Sequence, residues 1–170
     1  GKGQLQRHAK EILAVAASAD GRLVASGSHD ETVMVWDLQQ NAMLRMLPGS
    51  GSEVSSVAFS PDGSHLAAGT EEKAVVQWSL PDFAGPTAMM GHGNDVLSVA
   101  YSADGRFLAS GSRDYNVIIW DAQTGQLVHR RHIGQDIFCL AFSPDGRFLA
   151  VGSTVKGVFI FELDGAGGVP

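Results

Sequence analysis

The feature that most restricts the fold of this chain is an internal repeat of about 42 residues. The segment SADGRLVASGSHDETVMVWD at 18–37 returns as SADGRFLASGSRDYNVIIWD at 102–121, with thirteen of the twenty positions identical. Two more divergent copies are SPDGSHLAAGTEEKAVVQWS at 60–79 and SPDGRFLAVGSTVKGVFIFE at 143–162. A repeat of this length builds the fold from copies of one small unit, and each unit completes its core by packing on the next.

Within each copy the pattern predicts short β-strands. Apolar residues alternate with polar ones in short runs, and Gly, Asp and Ser separate the runs, as strands joined by tight turns require. Each copy has a turn glycine followed fifteen residues later by an aromatic residue: Gly21 and Trp36, Gly63 and Trp78, Gly105 and Trp120, Gly146 and Phe161. In the third copy the strands are expected at 96–102, 107–111, 117–120 and 126–129. We therefore expect four short antiparallel strands in each copy and no helix of useful length.

These copies resemble the WD-repeat family, whose motif is Gly-His near the start of a repeat and Trp-Asp near its end. Gly91-His92 and Trp120-Asp121 match both parts of the motif, and the first copy ends in Trp36-Asp37. The second and fourth copies depart from the motif, because they end in Trp78-Ser79 and Phe161-Glu162. The resemblance covers residues 5–163 and implies an all-β fold, a β-propeller of four four-stranded antiparallel blades that is half or part of a larger ring.

The expected domain organisation follows from the repeat. Residues 1–163 form the blades, with copies centred on 8–37, 50–79, 92–121 and 133–162, and residues 164–170 form a flexible tail. Residues 4–7 align with the outermost strand of a blade, whereas the last copy lacks that strand. WD-repeat rings usually carry about seven blades, within the range of propellers generally. Three arrangements stay open: part of a longer propeller chain, a homodimer that completes an eight-bladed ring, or a closed ring of four blades.

The resemblance also implies a hydrogen-bonded set of His, Ser, Asp and Trp inside a blade, a tetrad that stabilises the sheet. The first tetrad is His8, Ser26, Asp30 and Trp36, and the second is His92, Ser110, Asp114 and Trp120. The second copy has Ser50, Ala68, Glu72 and Trp78 at these positions, and the fourth has Ile133, Val151, Val155 and Phe161. In the fourth copy all the polar partners are replaced together, so no buried polar group is left without a hydrogen-bond partner.

A Ser, a His and an Asp in one set also suggest a hydrolase, in which His activates Ser and Asp orients His. The structural role accounts for all four members of the tetrad and for its occurrence in two copies, whereas catalysis accounts for three members. We therefore assign no catalytic residue and expect a noncatalytic scaffold for protein–protein interactions. The alternative is an enzyme, a hydrolase or lyase, that uses the cleft of the propeller.

In the WD-repeat family most partner contacts are made at one narrow face of the ring. The resemblance implies that three residues in each blade of this chain occupy the corresponding positions. They are Glu11, Leu13 and His29; Glu53, Ser55 and Glu71; Asp95, Leu97 and Arg113; and Asp136, Phe138 and Thr154. The first residue of every set is acidic. It either solvates the turn before a strand or belongs to an acidic ring that attracts a basic peptide or protein segment, with the apolar members as anchors.

Composition excludes several other kinds of function. Asp and Glu outnumber Lys and Arg by 18 to 12, so nonspecific nucleic-acid binding is not expected. The longest apolar run, 12–17, is far shorter than the ~20 residues that span a membrane. No cofactor or metal is expected, because the chain has no phosphate-binding loop and its histidines are scattered at 8, 29, 65, 92, 129 and 132.

The expected cellular location is intracellular, in the cytoplasm with the nucleus as the alternative. The first ten residues, GKGQLQRHAK, lack the apolar stretch of a secretory signal. A single cysteine, Cys139, cannot form an internal disulfide, and we interpret it as a small buried residue.

Overall fold

The computed structural model describes residues 7–48, 51–154, 157–164 and 168, and the regular structure in these ranges is all β. The first sheet contains β1 (Ile12–Ala17), β2 (Leu23–Ser28), β3 (Thr32–Asp37) and β4 (Ala42–Pro48). The second contains β5 (Val54–Phe59), β6 (His65–Thr70), β7 (Ala74–Ser79) and β8 (Ala84–Met90). The third contains β9 (Val96–Tyr101), β10 (Phe107–Ser112), β11 (Asn116–Asp121) and β12 (Leu127–His132). The fourth contains β13 (Ile137–Phe142), β14 (Phe148–Ser153) and β15 (Val158–Glu162).

Each sheet is an antiparallel meander in which consecutive strands are neighbours. The all-β prediction and the division into one sheet per repeat are confirmed, and each sheet is called a blade below. Three blades have four strands and the fourth blade has three, so the described residues do not form four complete four-stranded blades. Residues 4–7 were expected to supply an outer strand, and most of them lie outside the described residues, as does most of the expected tail. No helix in the described ranges is long and apolar enough to cross a membrane.

The turns between the first and second strands follow the glycine pattern of the sequence. Gly21, Gly63, Gly105 and Gly146 have φ between 69° and 73°, a conformation that costs other residues energy because of their Cβ. In the first blade, Asp20 Oδ1 accepts hydrogen bonds from Ser18 Oγ at 2.5 Å and from the Arg22 N–H at 2.9 Å. The end of the blades that carries these glycine turns is called the turn face, and the opposite end is called the loop face.

The core lies between neighbouring blades as three separate apolar clusters. One face of the first blade packs Val33 and Val35 against Trp78 of the second, and the second packs on the third in the same way around Trp120. The third cluster joins the third and fourth blades through residues such as Ile119 and Leu149. The described blades pack on one another in order, so one face of the first blade and one face of the fourth have no neighbouring blade among the described residues, although Met34 and Trp36 on that face of the first blade are buried.

Cys139 departs from the sequence-based interpretation, because the structure exposes it. The residue lies on β13, where its side chain is on the face of the fourth blade that points away from the third. At the equivalent places in β5 and β9, Ser56 and Ser98 reach the following blade: Ser56 Oγ accepts a hydrogen bond from the Val99 N–H at 3.0 Å, and Ser98 Oγ accepts one from the Leu140 N–H at 3.1 Å. The expectation of burial was therefore wrong because it assumed a covered sheet face.

Candidate functional site

The third blade contains a continuous chain of hydrogen bonds through its tetrad. The indole N–H of Trp120 donates to Ser110 Oγ at 2.8 Å, and Ser110 Oγ lies 2.7 Å from His92 Nε2. On the other side of the imidazole ring, His92 Nδ1 lies 3.0 Å from Asp114 Oδ2, which also accepts a hydrogen bond from the Gly93 N–H at 2.7 Å. The chain ties β11 through β10 to the segment that leads into β9.

The protonation states of this tetrad follow from burial and charge. Burial lowers the pKa of His92 and outweighs the opposing attraction of Asp114. Burial also opposes ionisation of Asp114, but the Gly93 N–H and His92 hold the pKa of this carboxyl below its usual value. A neutral His92 that donates from Nδ1 to the Asp114 carboxylate can accept the Ser110 hydroxyl proton at Nε2, so every member has a partner.

The first blade repeats the same geometry. Trp36 Nε1 donates to Ser26 Oγ at 3.0 Å, Ser26 Oγ lies 2.7 Å from His8 Nε2, and His8 Nδ1 lies 2.9 Å from Asp30 Oδ2. Asp30 Oδ2 also accepts a hydrogen bond from the Ala9 N–H at 2.8 Å. Although burial opposes it, hydrogen bonds from Thr32, Ala9 and His8 keep the pKa of Asp30 well below its usual range.

These Ser-His-Asp sets have the distances of a catalytic triad but not its access. Ser110 has no exposed surface and Ser26 is 3% exposed. Each hydroxyl lies between an indole N–H and an imidazole, so both its accepting and its donating capacity are used inside the blade. A nucleophile must instead reach the reacting atom of a substrate.

The second and fourth blades have other residues at the tetrad positions. In the fourth blade, Val151 is buried and packs with Ile133 and Phe161 in the cluster shared with the third blade. In the second blade, Ala68 and Trp78 lie in the cluster shared with the first. Glu72 of the second blade is exposed, and the remaining two positions, Ser50 and Val155, lie outside the described residues.

At the loop face, backbone hydrogen bonds bring together two of the three predicted positions in each of the first three blades. The His29 N–H donates to the Glu11 carbonyl at 3.0 Å, Glu71 to Glu53 at 3.1 Å, and Arg113 to Asp95 at 3.0 Å. In the fourth blade Asp136 is half-buried and Thr154 is exposed, with the Thr154 hydroxyl donating to Gln135 Oε1 at 2.7 Å. The acidic position and the residue before the turn therefore present side chains at the same end of the blade.

One charge pair on the loop face links two blades, and another lies within the third blade. His29 Nδ1 of the first blade lies 2.7 Å from Glu53 Oε2 of the second, and Arg113 of the third blade pairs with Asp95 at 2.7 Å. The hydrogen bond with Glu53 raises the pKa of His29 and lowers that of Glu53. Burial, followed by repulsion from Glu53 and Asp95, raises the pKa of Glu71. The negative charge between the second and third blades is therefore only partly neutralised by the protein's own cations.

The apolar members of the predicted set differ in exposure. Leu13 is 42% exposed and Phe138 is 49% exposed, whereas Leu97 is half-buried. Ser55, the polar member at this position, donates its hydroxyl to the carbonyls of Gly69, at 3.0 Å, and Val96 of the next blade. Ser55 is therefore engaged in holding two blades together, which its position in the sequence does not reveal.

Sequence reasoning also gave no role to the last residue of the Trp-Asp motif. Asp37 is buried, and its Oδ1 accepts hydrogen bonds from the N–H groups of Gln39 and Gln40 at 2.8 and 2.9 Å. Its other oxygen receives the Arg22 guanidinium at 3.2 Å. In the fourth blade Arg147 and Glu162 form the same pair at 3.4 Å. In the first, third and fourth copies an arginine follows the turn glycine and an acidic residue stands fifteen positions after the arginine, and this spacing would have been the signal.

The fold and these contacts agree with the comparison to known families. The model of the WD domain, G-beta repeat, matches residues 2–37, 41–79, 86–121 and 125–154. The chain therefore belongs to the WD-repeat family.

Matches to individual relatives are local. WD repeat-containing protein 18 is 41% identical over 44 residues in Bos taurus and 39% identical over 44 residues in Homo sapiens. Each of these matches covers 26% of this chain and 10% of the relative. Vegetative incompatibility protein HET-E-1 of Podospora anserina is 54% identical over 33 residues, 19% of this chain and 2% of that protein. The chain thus spans a small part of the curated relatives that it matches.

Proposed function

We propose that this chain is a noncatalytic scaffold that binds a basic segment of a partner protein at its loop face. The observation that carries the proposal is the cluster of Glu53, Glu71 and Asp95 between the second and third blades, whose negative charge His29 and Arg113 neutralise only in part. Burial, followed by repulsion from Glu53 and Asp95, raises the pKa of Glu71, and a Lys or Arg side chain placed there would gain attraction to three carboxylates.

The neighbouring cations support an exchange of partners. Arg113 is nearly half exposed and His29 about one third exposed in the pairs that they form with Asp95 and Glu53. Exposed ion pairs contribute little stability, ~0–1 kcal/mol, so an incoming guanidinium or ammonium can replace them at small cost. Leu13 and Phe138 add exposed apolar surface in the first and fourth blades.

The noncatalytic part of the proposal rests on where the reactive groups lie. The serines of both tetrads are buried, as described above. A cleft on the turn face is lined by Asp62, His65 and Asp104, but these carboxylates already accept turn hydrogen bonds. Hydrogen bonds from Ser60 and Ser64 lower the pKa of Asp62 to about 2, which suits a structural carboxylate better than a general acid or base. A partner that is a cytoplasmic or nuclear protein fits the same proposal.

The test reverses charge at matched places. In the variant Glu53→Lys/Asp95→Lys, the affinity for fluorescein-labelled 15-residue peptides rich in Lys and Arg should fall by about tenfold or more, read by fluorescence anisotropy. The control variant Asp82→Lys/Glu162→Lys changes the net charge equally. Asp82 follows the third strand of the second blade and Glu162 ends the third strand of the fourth, so both residues lie at the turn face. The control variant should bind like the unmodified chain.

Equal losses in the two variants would mean that net charge alone attracts the peptides, and no loss in either would mean that the loop face is not involved. Both results contradict the proposal. The proposal is also contradicted if acidic peptides of the same length give the same anisotropy change as the basic peptides.

A further inference from the structure

Three blade-to-blade contacts in this chain use the same device, a β-branched side chain packed on a glycine. Val54 at the start of β5 lies over Gly27, where an added Cβ would be 2.5 Å from Val54 Cγ1. Val96 at the start of β9 lies over Gly69 in the same way, at 2.9 Å. Ile137 at the start of β13 lies so close to Gly111 that an added Cβ would overlap its side chain. The absence of a glycine side chain is what lets each pair of blades approach.

The first blade has the projecting half of this device, and no blade among the described residues packs on it. Ile12 occupies in β1 the register that Val54 occupies in β5, opposite Ser28 and Thr70 respectively. Ile12 is 49% exposed and Val15 is 69% exposed, whereas Val54 and its neighbour Val57 are 0% and 7% exposed. The face with Ile12 and Val15 is called the projecting face.

The fourth blade has the receiving half. Gly152 pairs with Cys139 in β13, as Gly69 pairs with Ser56 and Gly111 with Ser98. Among the described residues, an added Cβ at Gly152 would contact Cys139 and no residue of another blade. On the same face Val158 is 64% exposed and Ile160 is 59% exposed, while the equivalent Val33 and Val35 of the first blade are fully buried. The face with Gly152, Cys139, Val158 and Ile160 is called the receiving face.

We propose that the projecting face of one copy binds the receiving face of a second copy, with Ile12 packed on Gly152. The interface would continue the contact that the chain already makes three times internally. Since each copy carries one face of each kind, two copies can make two such contacts, and a head-to-tail pair closes when the second contact forms. Two copies would then supply eight blades, within the range of about 4–8 known for propellers. This inference does not depend on the loop-face proposal.

The first test is the mass of the full chain in solution by light scattering at about 50 µM, a concentration at which micromolar association is measurable. We expect twice the 17.9 kDa of one chain. Ile12→Asp should weaken association by about 100-fold, because a carboxylate would be buried against glycine and apolar side chains. Leu44→Asp is the matched control, since Leu44 is 43% exposed on the outermost strand of the same blade. Circular dichroism verifies that both variants remain folded.

A chain that stays at the mass of one copy would overturn the proposal, and so would a dimer that survives Ile12→Asp as well as it survives Leu44→Asp. Loss of the dimer in both variants would also count against it, since the loss would then not be specific to the projecting face.

The second test uses Cys139, the one cysteine of the chain. Its Sγ lies against the position where Ile12 would enter. Ile12→Cys should therefore form a two-copy disulfide under mild oxidation, visible on a non-reducing gel, at least ten times faster than Leu44→Cys. The variant Ile12→Cys/Cys139→Ser should lose this product. Equal rates for Ile12→Cys and Leu44→Cys, or a product that persists after Cys139→Ser, would contradict the head-to-tail arrangement.

Discussion

The first and third blades differ from the second and fourth in how they fill the same interior position. The former connect a buried indole to a Ser, a His and an Asp through hydrogen bonds of 2.7–3.0 Å. The fourth places Val151, Ile133 and Phe161 in the same region and packs them on the third blade. Both solutions give antiparallel sheets with the same strand register. The tetrad is therefore not required to form a blade.

The third and fourth blades show that a complete polar set and a complete apolar set each form a blade, whereas the second blade keeps Trp78 beside Ala68. A hydrogen bond adds about 0.5–1.5 kcal/mol net, but a buried polar atom that loses its partner costs about 1–3 kcal/mol. Removal of a single polar member from a complete tetrad should therefore be costly.

The largest effect is expected from breaking one tetrad at its centre. Ser110→Ala leaves both Trp120 Nε1 and His92 Nε2 without their hydrogen-bond partner in a buried site. The free energy of unfolding, measured by urea titration, should fall by about 2–4 kcal/mol. Ser79→Ala, at an exposed position at the end of β7, should change it by less than about 0.5 kcal/mol. If the free energy of unfolding falls no more in Ser110→Ala than in the control, the tetrad does not stabilise the fold.

A smaller effect on stability is expected from a change of pH. It distinguishes the third blade from the fourth, which has no histidine at the position of His92. The pKa of His92 is lowered by burial, so folded His92 stays neutral while the unfolded chain takes up a proton near pH 6.5. Its contribution to stability is present above that pH and is lost as the pH falls toward the lowered pKa. Proton NMR of the imidazole rings should place the titration of His92 below pH 6.5.

His29 provides the opposite sign in the same experiment. Its raised pKa means that its pair with Glu53 stabilises the fold below pH 6.5 and that this contribution is lost as the pH rises through the raised value. Its ring should titrate above 6.5. The imidazole signals of the two residues are assigned from the variants His92→Gln and His29→Gln. If His92 titrates at a higher pH than His29, the electrostatic account is wrong.

The smallest effect is expected from making the second blade more like the first and third. In those blades an aspartate begins the turn, and Asp30 Oδ1 and Asp114 Oδ1 accept hydrogen bonds from N–H groups two residues later at 3.1 and 2.9 Å. The second blade has Glu72 there, whose longer side chain suits this short turn less well. Glu72→Asp should raise the free energy of unfolding by about 0.5 kcal/mol, measured by thermal unfolding.

The same Glu-to-Asp change at Glu162, on the exposed end of β15, is the control and should produce no gain. If Glu72→Asp lowers the melting temperature, the turn of the second blade is organised differently from the other two.

The strands and the turns could be predicted because their causes are local. Alternating apolar residues mark strands, and only glycine adopts the φ of about 70° at Gly21 or Gly105 without a steric cost. Candidate partners inside one blade, such as Ser110 and Trp120, could be aligned from one copy to another. The role of the loop-face residues in binding remains a prediction, although their positions on one face are now observed.

Contacts between blades were not predictable in the same way. The hydroxyl of Ser55 reaches a carbonyl 41 residues away, and Gly27, Gly69 and Gly111 matter because of a side chain on the next blade. The repeat aligns these residues with one another but does not say what they touch. Cys139 was misjudged for the same reason, since its burial depends on a neighbour that no strand pattern reports.

The sequence by itself determined the number of repeats, the strand type and the turn glycines, because these follow from backbone sterics and spacing along the chain, and its resemblance to the WD-repeat family indicated the two places where a full tetrad occurs. Only the tertiary structure decided which sheet faces are covered, how Glu53 and Glu71 share their charge with neighbouring blades, and where, among the described residues, an isoleucine and a glycine have no partner blade. Burial and electrostatic interaction depend on distance in space, and that distance is set by how one blade packs on the next.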